Sequence, residues 1–515
     1  MSPPASSPEG VVLYYPEYDR EVTTSALLEV PLPVLHVAAA LLAAGFPVEI
    51  VDGRIGGAHE RLRALEQRPL FFGISCFMGQ IADGYAAATI LSERFEGLPV
   101  VCGGWLPTTL PELFQDTERI DALVRGPAEV IAPVLARRLA GGEGLGGIPG
   151  VAPRNGAGGF DLSTGSGPSA PPCLDLPFHL LELEHYELME GRVDLLASRG
   201  CPLQCTFCAM ASVYRGGWFP RSGEEIVDAL GSLAQRFELE RVQFYDDSFF
   251  TEPGRVLRMA RGLVERGPEL RWMAAANLPD LATLRAEDWD LLARSGCATL
   301  SSGIESGSAA VRRRLGKSFD NASVLEVARH MQRAGIRFAP FFIIGLPDES
   351  EEELEATFEL ASELLAIDPE NHRHFSIFLY FPMPATPLFR MEKGRGVLDG
   401  FPVDVATLRR IAPESHWGQT PWVPRKGFPA GYRDRRRVVM RSFCFWTTNL
   451  CPGLLLPRAN RLLDRLRRSV LAVMRARVRA RFFRLPLEWC LYRTAWALRR
   501  WLRPATASET WRRPH

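Results

Sequence analysis

Residues 198–210 read SRGCPLQCTFCAM, and the cysteines at 201, 205 and 208 stand in a C-x3-C-x2-C spacing directly after an apolar run, 194–199, with the look of a buried strand. Three thiolates within eight residues wrap one face of a four-iron cluster and leave the fourth iron without a protein ligand. That vacancy suits the amino and carboxylate groups of a small molecule. Zinc with a distant fourth ligand is the bland alternative. Structural zinc sites, however, usually pair two C-x2-C units, and this chain has no second one.

Outward from the cysteines, runs at 242–246, 271–275, 298–303, 337–343 and 374–380 read as further strands. Helical patterns at 223–236, 252–265, 283–294, 321–334 and 350–364 separate them. Six such steps predict a partial (β/α)6 barrel over 191–395, with its chemistry on the loops after the strands. Upstream, VVLYY (11–15), VEIV (48–51), LFFGI (70–74), PVVC (99–102) and DALV (121–124) alternate with helical patterns. They predict an open five-stranded, Rossmann-like α/β domain over 10–145 whose ligand crevice lies at the carboxyl ends of its strands. The glycine-rich 141–170 interrupts all periodicity, and 146–190 reads as a linker. A mainly helical, arginine-rich region fills 396–515.

With 46% apolar and 23% charged residues in 515, the chain has the composition of a soluble protein of two or three domains. Ten cysteines are too few and too scattered for a disulfide scaffold, so a reducing cytoplasm is expected. The first residues lack the pattern of a signal peptide, and no apolar run is long enough to span a membrane. A net charge of zero hides an asymmetry. Residues 451–515 hold 16 Arg against three acidic residues, a local excess of +13, which leaves −13 on the first 450.

The cysteine loop, with the aromatic Phe207 before its third cysteine and with Gly200 and Pro202 beside its first, resembles that of the radical S-adenosylmethionine superfamily. The resemblance implies a [4Fe-4S] cluster on Cys201, Cys205 and Cys208 that chelates S-adenosylmethionine and cleaves it to a 5'-deoxyadenosyl radical. FYDDSFF (244–250) resembles the second-strand motif, with Asp246 and Asp247 near the polar end of the cofactor; capping of the next helix is their alternative. SSGIESGS (301–308) resembles the fourth-strand motif and offers Glu305 to the ribose hydroxyls, with Gly303 and Gly307 leaving room. FFIIGLPDES (341–350) resembles the fifth-strand motif, with Ile343 and Gly345 against adenine and Pro347 turning the chain. Asn277 and Lys317 are further candidates, a capping asparagine and a solvated lysine being the plainer readings.

PLPVLHVAAALLAAGFPVEIVDGR (31–54), GISCFMGQ (73–80) and VVCGGWLPTTLPELF (100–114) resemble the cobalamin-binding domain of one branch of that superfamily, which includes the anaerobic bacteriochlorophyll cyclase and natural-product C-methyltransferases. The resemblance covers about residues 10–395. It implies cobalamin near Gly103 and Gly104, with Ser75 and Thr108 or Thr109 bonding its tail. No D-x-H-x-x-G occurs, so water or the Cys76–Phe77–Met78 loop is left for the lower face of cobalt. Where the family has G-E-G-E, this chain has Gly126, Pro127, Ala128 and Glu129. YFPMPATPLF (380–389) resembles the barrel-end motif, with Ala385 in place of glycine; Tyr380 is a candidate for substrate contact or simply a buried aromatic. His416, Trp417 and Trp422 are candidates for a lid.

The implied activity is radical C-methylation of an unactivated carbon, aromatic or heteroaromatic, in a secondary-metabolite intermediate. An oxidative cyclase with the same cofactors and a non-catalytic corrinoid or iron–sulfur carrier are its rivals. The implied partners are a small-molecule substrate and a flavodoxin- or ferredoxin-type reductase. The basic tail suits an anionic membrane surface, an acidic carrier protein or the acidic body of the chain itself. No recognition module accompanies its charge, so nucleic acid is not expected.

Overall fold

The computed structural model describes residues 10–396, apart from 18–26, 78–79, 115–117, 370–374 and the single positions 157, 168, 381 and 384, together with 445, 472–473 and 476. Met78, His416, Trp417, Trp422 and the arginine-rich tail lie outside the described residues, and so do the expectations attached to them.

Apolar runs buried on both faces make the first sheet. β1 (Val11–Tyr15), β2 (Val48–Asp52), β3 (Phe72–Ser75), β4 (Val100–Gly103) and β5 (Ala122–Val124) pair in parallel, and β6 (Val151–Pro153) pairs antiparallel with β5. The spatial order is β2-β1-β3-β4-β5-β6. Connections therefore leave in opposite directions on the two sides of β1, which opens a crevice at the carboxyl ends of β1 and β3. Helices Leu32–Ala43 and Ala128–Ala140 pack together over one face. The expectation of five strands is corrected to six, because part of the glycine-rich stretch read as linker folds back onto the sheet edge through Val151–Pro153.

The second sheet holds β7 (Arg192–Leu195) in parallel with five strands downstream of β8 (Ser198–Gly200) and β9 (Trp218–Pro220). These are β10 (Arg241–Phe244), β11 (Arg271–Ala275), β12 (Cys297–Glu305), β13 (Arg337–Ile344) and β14 (Ser376–Leu379). They lie in chain order from β7 to β14, the arrangement of an open partial barrel. The helices between them start where the sequence provides caps: Ser222 with Glu225, and Ser350 with Glu353, each form a reciprocal capping box. Val193, Leu195, Val242, Phe244, Trp272 and Leu300 join Ile226, Leu230, Met259 and Leu263 of the helix layer in one core. By the two-residue alternation of a strand, Asp194, Gln243, Met273 and Ser301 face the concave side.

The single strand expected over 194–199 is instead two. β7 ends at Leu195, and β8 turns out of the barrel to form an antiparallel hairpin with β9. The cause is a side chain: the Asp246 carboxylate, not a neighbouring strand, accepts the N–H of Ala197 at 2.8 Å. Among the described residues no helix is long and apolar enough to cross a membrane.

Candidate active site

The cysteine loop is held at both ends. At its entry the buried Asp246 also accepts from the Ser198 hydroxyl, and Asp247 accepts from the N–H of Gly200 at 3.0 Å. Both acids thus brace the strand leading into the three cysteines, and neither caps the following helix, whose N-cap Glu252 makes no side-chain cap bond. Burial pushes Asp246 up to about 6, against the pull of Ser198 and Ala197. Past the second cysteine, Thr206 is clasped from two sides. Its N–H and hydroxyl donate to the carbonyls of Leu315 and Arg314 at 3.1 and 3.0 Å, and its carbonyl accepts from Leu388 at 2.8 Å.

All three cysteines are free thiols. Burial raises each, Cys208 to about 11, so a metal taken up here displaces protons. Among the described residues, the three-ligand group gathered within 4.8 Å is the surface trio Glu182, Glu184 and His185. The cysteine sulfurs are not drawn that close together. A single tetrahedral ion needs its donors in such contact, whereas a four-iron cluster spreads them over separate irons. The donor set fits the cluster.

Across from the loop, a bulge between Gly303 and Glu305 ends the regular pairing of β12 with β13. Glu305 is buried in left-handed backbone at φ 63°, a conformation costly for a residue with a side chain and common at functional sites. A Cβ at Gly303 would fall 2.1 Å from the Glu305 carboxylate, so a side chain there would push that carboxylate from its place. Lys317 is mostly withdrawn from solvent: its Nζ stands 3.4 Å from Glu305 and donates to the Gly303 carbonyl at 3.2 Å. Burial raises Glu305, with Lys317 pulling the other way. For Lys317 burial favours neutrality, but the charge of Glu305, with Cys205 and Cys208 nearby, outweighs it, and the net shift is upward.

Ile343, Phe207 and Tyr380 share a small apolar cluster with Val311, Leu315 and Leu346. The Tyr380 hydroxyl is buried and donates to Glu392 at 3.3 Å. Gly345 donates its N–H to Glu349 at 2.6 Å. Asn277 makes no side-chain cap bond, and its amide donates to the Ser248 hydroxyl at 2.8 Å.

A cavity of about 310 Å³ lies between the first sheet and helices Leu32–Ala43 and Ala128–Ala140. Ser75, Gly103, Gly104 and Thr108 all line it, with apolar walls from Leu13, Val34, Val101 and Leu135. Gly104 has φ 109°, and a Cβ there would meet the Cys76 carbonyl at 2.8 Å. The Thr108 hydroxyl ties the rim together, donating to Gly104 at 2.7 Å and accepting from the N–H of Gly126 at 3.0 Å. Such an apolar slot, opening at a glycine rim on the strand ends, fits the nucleotide tail of cobalamin.

Met210, Val213 and Tyr214 of the helix after the cysteine loop complete the lining. So do Arg199 and Glu129, which form an ion pair at 2.9 Å between the two α/β units. His36 sits near Arg199, fully buried with neither ring nitrogen hydrogen-bonded. Burial, with the Arg199 charge added, holds it well below the usual histidine range. Sequence reading assigned no part to Arg199, His36 or Ser198. Arg199 carried the one available signal, its position two residues before the first ligand cysteine.

Comparison with known proteins agrees with this geometry. Residues 195–361 match the family model of the radical SAM superfamily and residues 22–136 that of the B12 binding domain. An uncharacterized methyltransferase of Pyrococcus horikoshii is 28% identical over 307 residues, covering 58% of this chain and 64% of that protein. The chain thus spans under two thirds of that relative. The anaerobic magnesium-protoporphyrin IX monomethyl ester cyclase of Rubrivivax gelatinosus is 25% identical over 402 residues, 74% of this chain and 69% of the cyclase. The structure of the radical S-adenosylmethionine methyltransferase TsrM from Kitasatospora setae, with cobalamin and [4Fe-4S] cluster bound, superposes with a TM-score of 0.65 at 16% identity. It covers 96% of this chain and all of that one. The likeness extends to the fold of both units.

Proposed function

We propose that the chain is a cobalamin-dependent radical C-methyltransferase of secondary metabolism, acting on an unactivated, aromatic or heteroaromatic carbon; the matches of residues 195–361 to the radical SAM superfamily and of 22–136 to the B12 binding domain support this. The observation that carries the reading is the shared wall. The helix that leaves the cysteine loop also lines the cobalamin cavity through Met210, Val213 and Tyr214, so the two cofactors meet over one space. When bound, the cluster supplies the electron that splits S-adenosylmethionine, and cobalamin carries the methyl group.

The chain supplies position and dryness. Cys201, Cys205 and Cys208 hold the cluster on a loop braced by Asp246 and Asp247. Glu305, paired with Lys317, accepts from the ribose hydroxyls, while Ile343 and Gly345 border adenine and Asn277 lies beside the second-strand motif through Ser248. Ser75, Gly103, Gly104 and Thr108 form the cobalamin rim, and Tyr380 supports the barrel end from within its apolar cluster. Apolar walls exclude water from this space, which keeps a radical from being quenched and fixes reacting groups at short range. A flavodoxin- or ferredoxin-type donor renews the electron.

The cyclase relative supports a second reading, oxidation or ring closure with the same cofactors. Isotope tracing separates them. With methyl-labelled S-adenosylmethionine and anaerobically reconstituted protein, label is expected in the product. Accumulation of 5'-deoxyadenosine with an unlabelled product would overturn methyl transfer.

A further inference from the structure

We propose that the outer face of the cysteine loop is the docking surface for a small, acidic one-electron carrier protein, with Leu203 and Met391 at its centre and Arg215, Arg313 and Arg390 around them. The proposal rests on the cofactor assignment above, since a cluster spent at each turnover needs an outside electron. The carrier loses one electron and the cluster gains one, with no bond or proton moved.

Three surface segments surround the loop, and each brings a cation. The loop tip, Pro202 to Gln204, is exposed. On one side it abuts the turn at Arg215–Gly216, where a Cβ on Gly216 would stand 3.2 Å from the Gln204 amide. On the other it abuts the turn at Gly316, where a Cβ would stand 3.2 Å from the Gln204 carbonyl. That second turn closes helix Ala309–Arg314, whose Arg313 is exposed. The third segment, helix Pro387–Gly394, is hydrogen-bonded to the loop through Leu388 and Thr206, and it exposes Arg390 and Met391 one turn on.

Acidic neighbours do not cancel this charge. Glu353 is committed to Arg314 and Asp348 to Arg395. Among the described residues, Arg215, Arg313 and Arg390 have no acidic partner. Leu203 is 37% and Met391 57% exposed, so the loop tip and helix Pro387–Gly394 each also offer an apolar side chain that a partner can cover. The charge of the patch sets the partner's sign: an acidic face complements these three cations and is drawn to them. The patch also overlies the ligand loop itself, where the path for an electron is shortest.

The test uses the full-length protein reconstituted with iron and sulfide, a flavodoxin as the probe, and the charge reversals Arg313→Glu and Arg390→Glu, singly and together. Calorimetry with oxidised flavodoxin should show binding that weakens with salt in the wild type and by roughly tenfold or more in the double variant. Cleavage of S-adenosylmethionine driven by reduced flavodoxin should fall in parallel, while cleavage driven by dithionite, which needs no docking, stays unchanged. Undiminished flavodoxin binding in the double variant would overturn the proposal, and so would equal loss in the dithionite arm. If wild-type protein binds flavodoxin at this patch but never cleaves S-adenosylmethionine, the function proposed above fails while the docking surface stands.

Discussion

At position 385 an alanine occupies left-handed backbone, φ 65°, where the family motif carries glycine. Two bonds hold it there: its carbonyl accepts from the Ser212 hydroxyl at 2.7 Å and from Arg390 at 2.8 Å. The conformation is costly for any residue with a Cβ, so Ala385→Gly is expected to stabilise the protein by roughly 0.5–1 kcal/mol, visible as a higher melting temperature. An unchanged or lower value would mean that the Ala385 methyl group packs usefully enough to offset the strain. His36 makes the opposite kind of demand. Its folded-state pKa is depressed, so below the ordinary value of 6.5 the unfolded chain binds a proton that the folded chain refuses. Stability should therefore fall by about 1.4 kcal/mol per pH unit below that point. His36→Leu should remove that part of the slope in melts run between pH 5 and 7.

Among elements, β8 and helix Ala128–Ala140 matter most, because Arg199 and Glu129 connect the strand entering the cysteine loop to the wall of the cavity beside the first sheet. Both side chains are mostly buried, so truncating one leaves the other charge without its partner. A double-mutant cycle over Arg199→Ala and Glu129→Ala, read from amide exchange in 126–131 and 198–200, should give a coupling of about 1–3 kcal/mol. Additive effects would make the pair incidental. The elements also mark where sequence reading stops. Helices 223–236 and 321–333 were legible because caps and apolar spacing are local signals. The split of β7 from β8 was not, since it depends on a carboxylate 49 residues away in sequence.

Over the whole molecule, the order of the two α/β units and the cysteine loop could be read from spacing, whereas Glu305 became a candidate through the resemblance of 301–308 to the fourth-strand motif. Lys317 could not be placed, because only the bulge in β12 turns Glu305 toward it. The cavity wall shared by the two units was equally hidden, because it comes from side chains more than 60 positions apart that meet only after both sheets have formed.

The sixth strand of the first sheet has a consequence of its own. Without it, β5 would present a row of unsatisfied backbone groups, a template on which another chain could stack. β6 covers that row with three residues and ends in Pro153, which has no N–H to offer. An incoming strand finds too little to hold, so this border of the molecule resists fibril-like growth while a newly made chain waits for its metals.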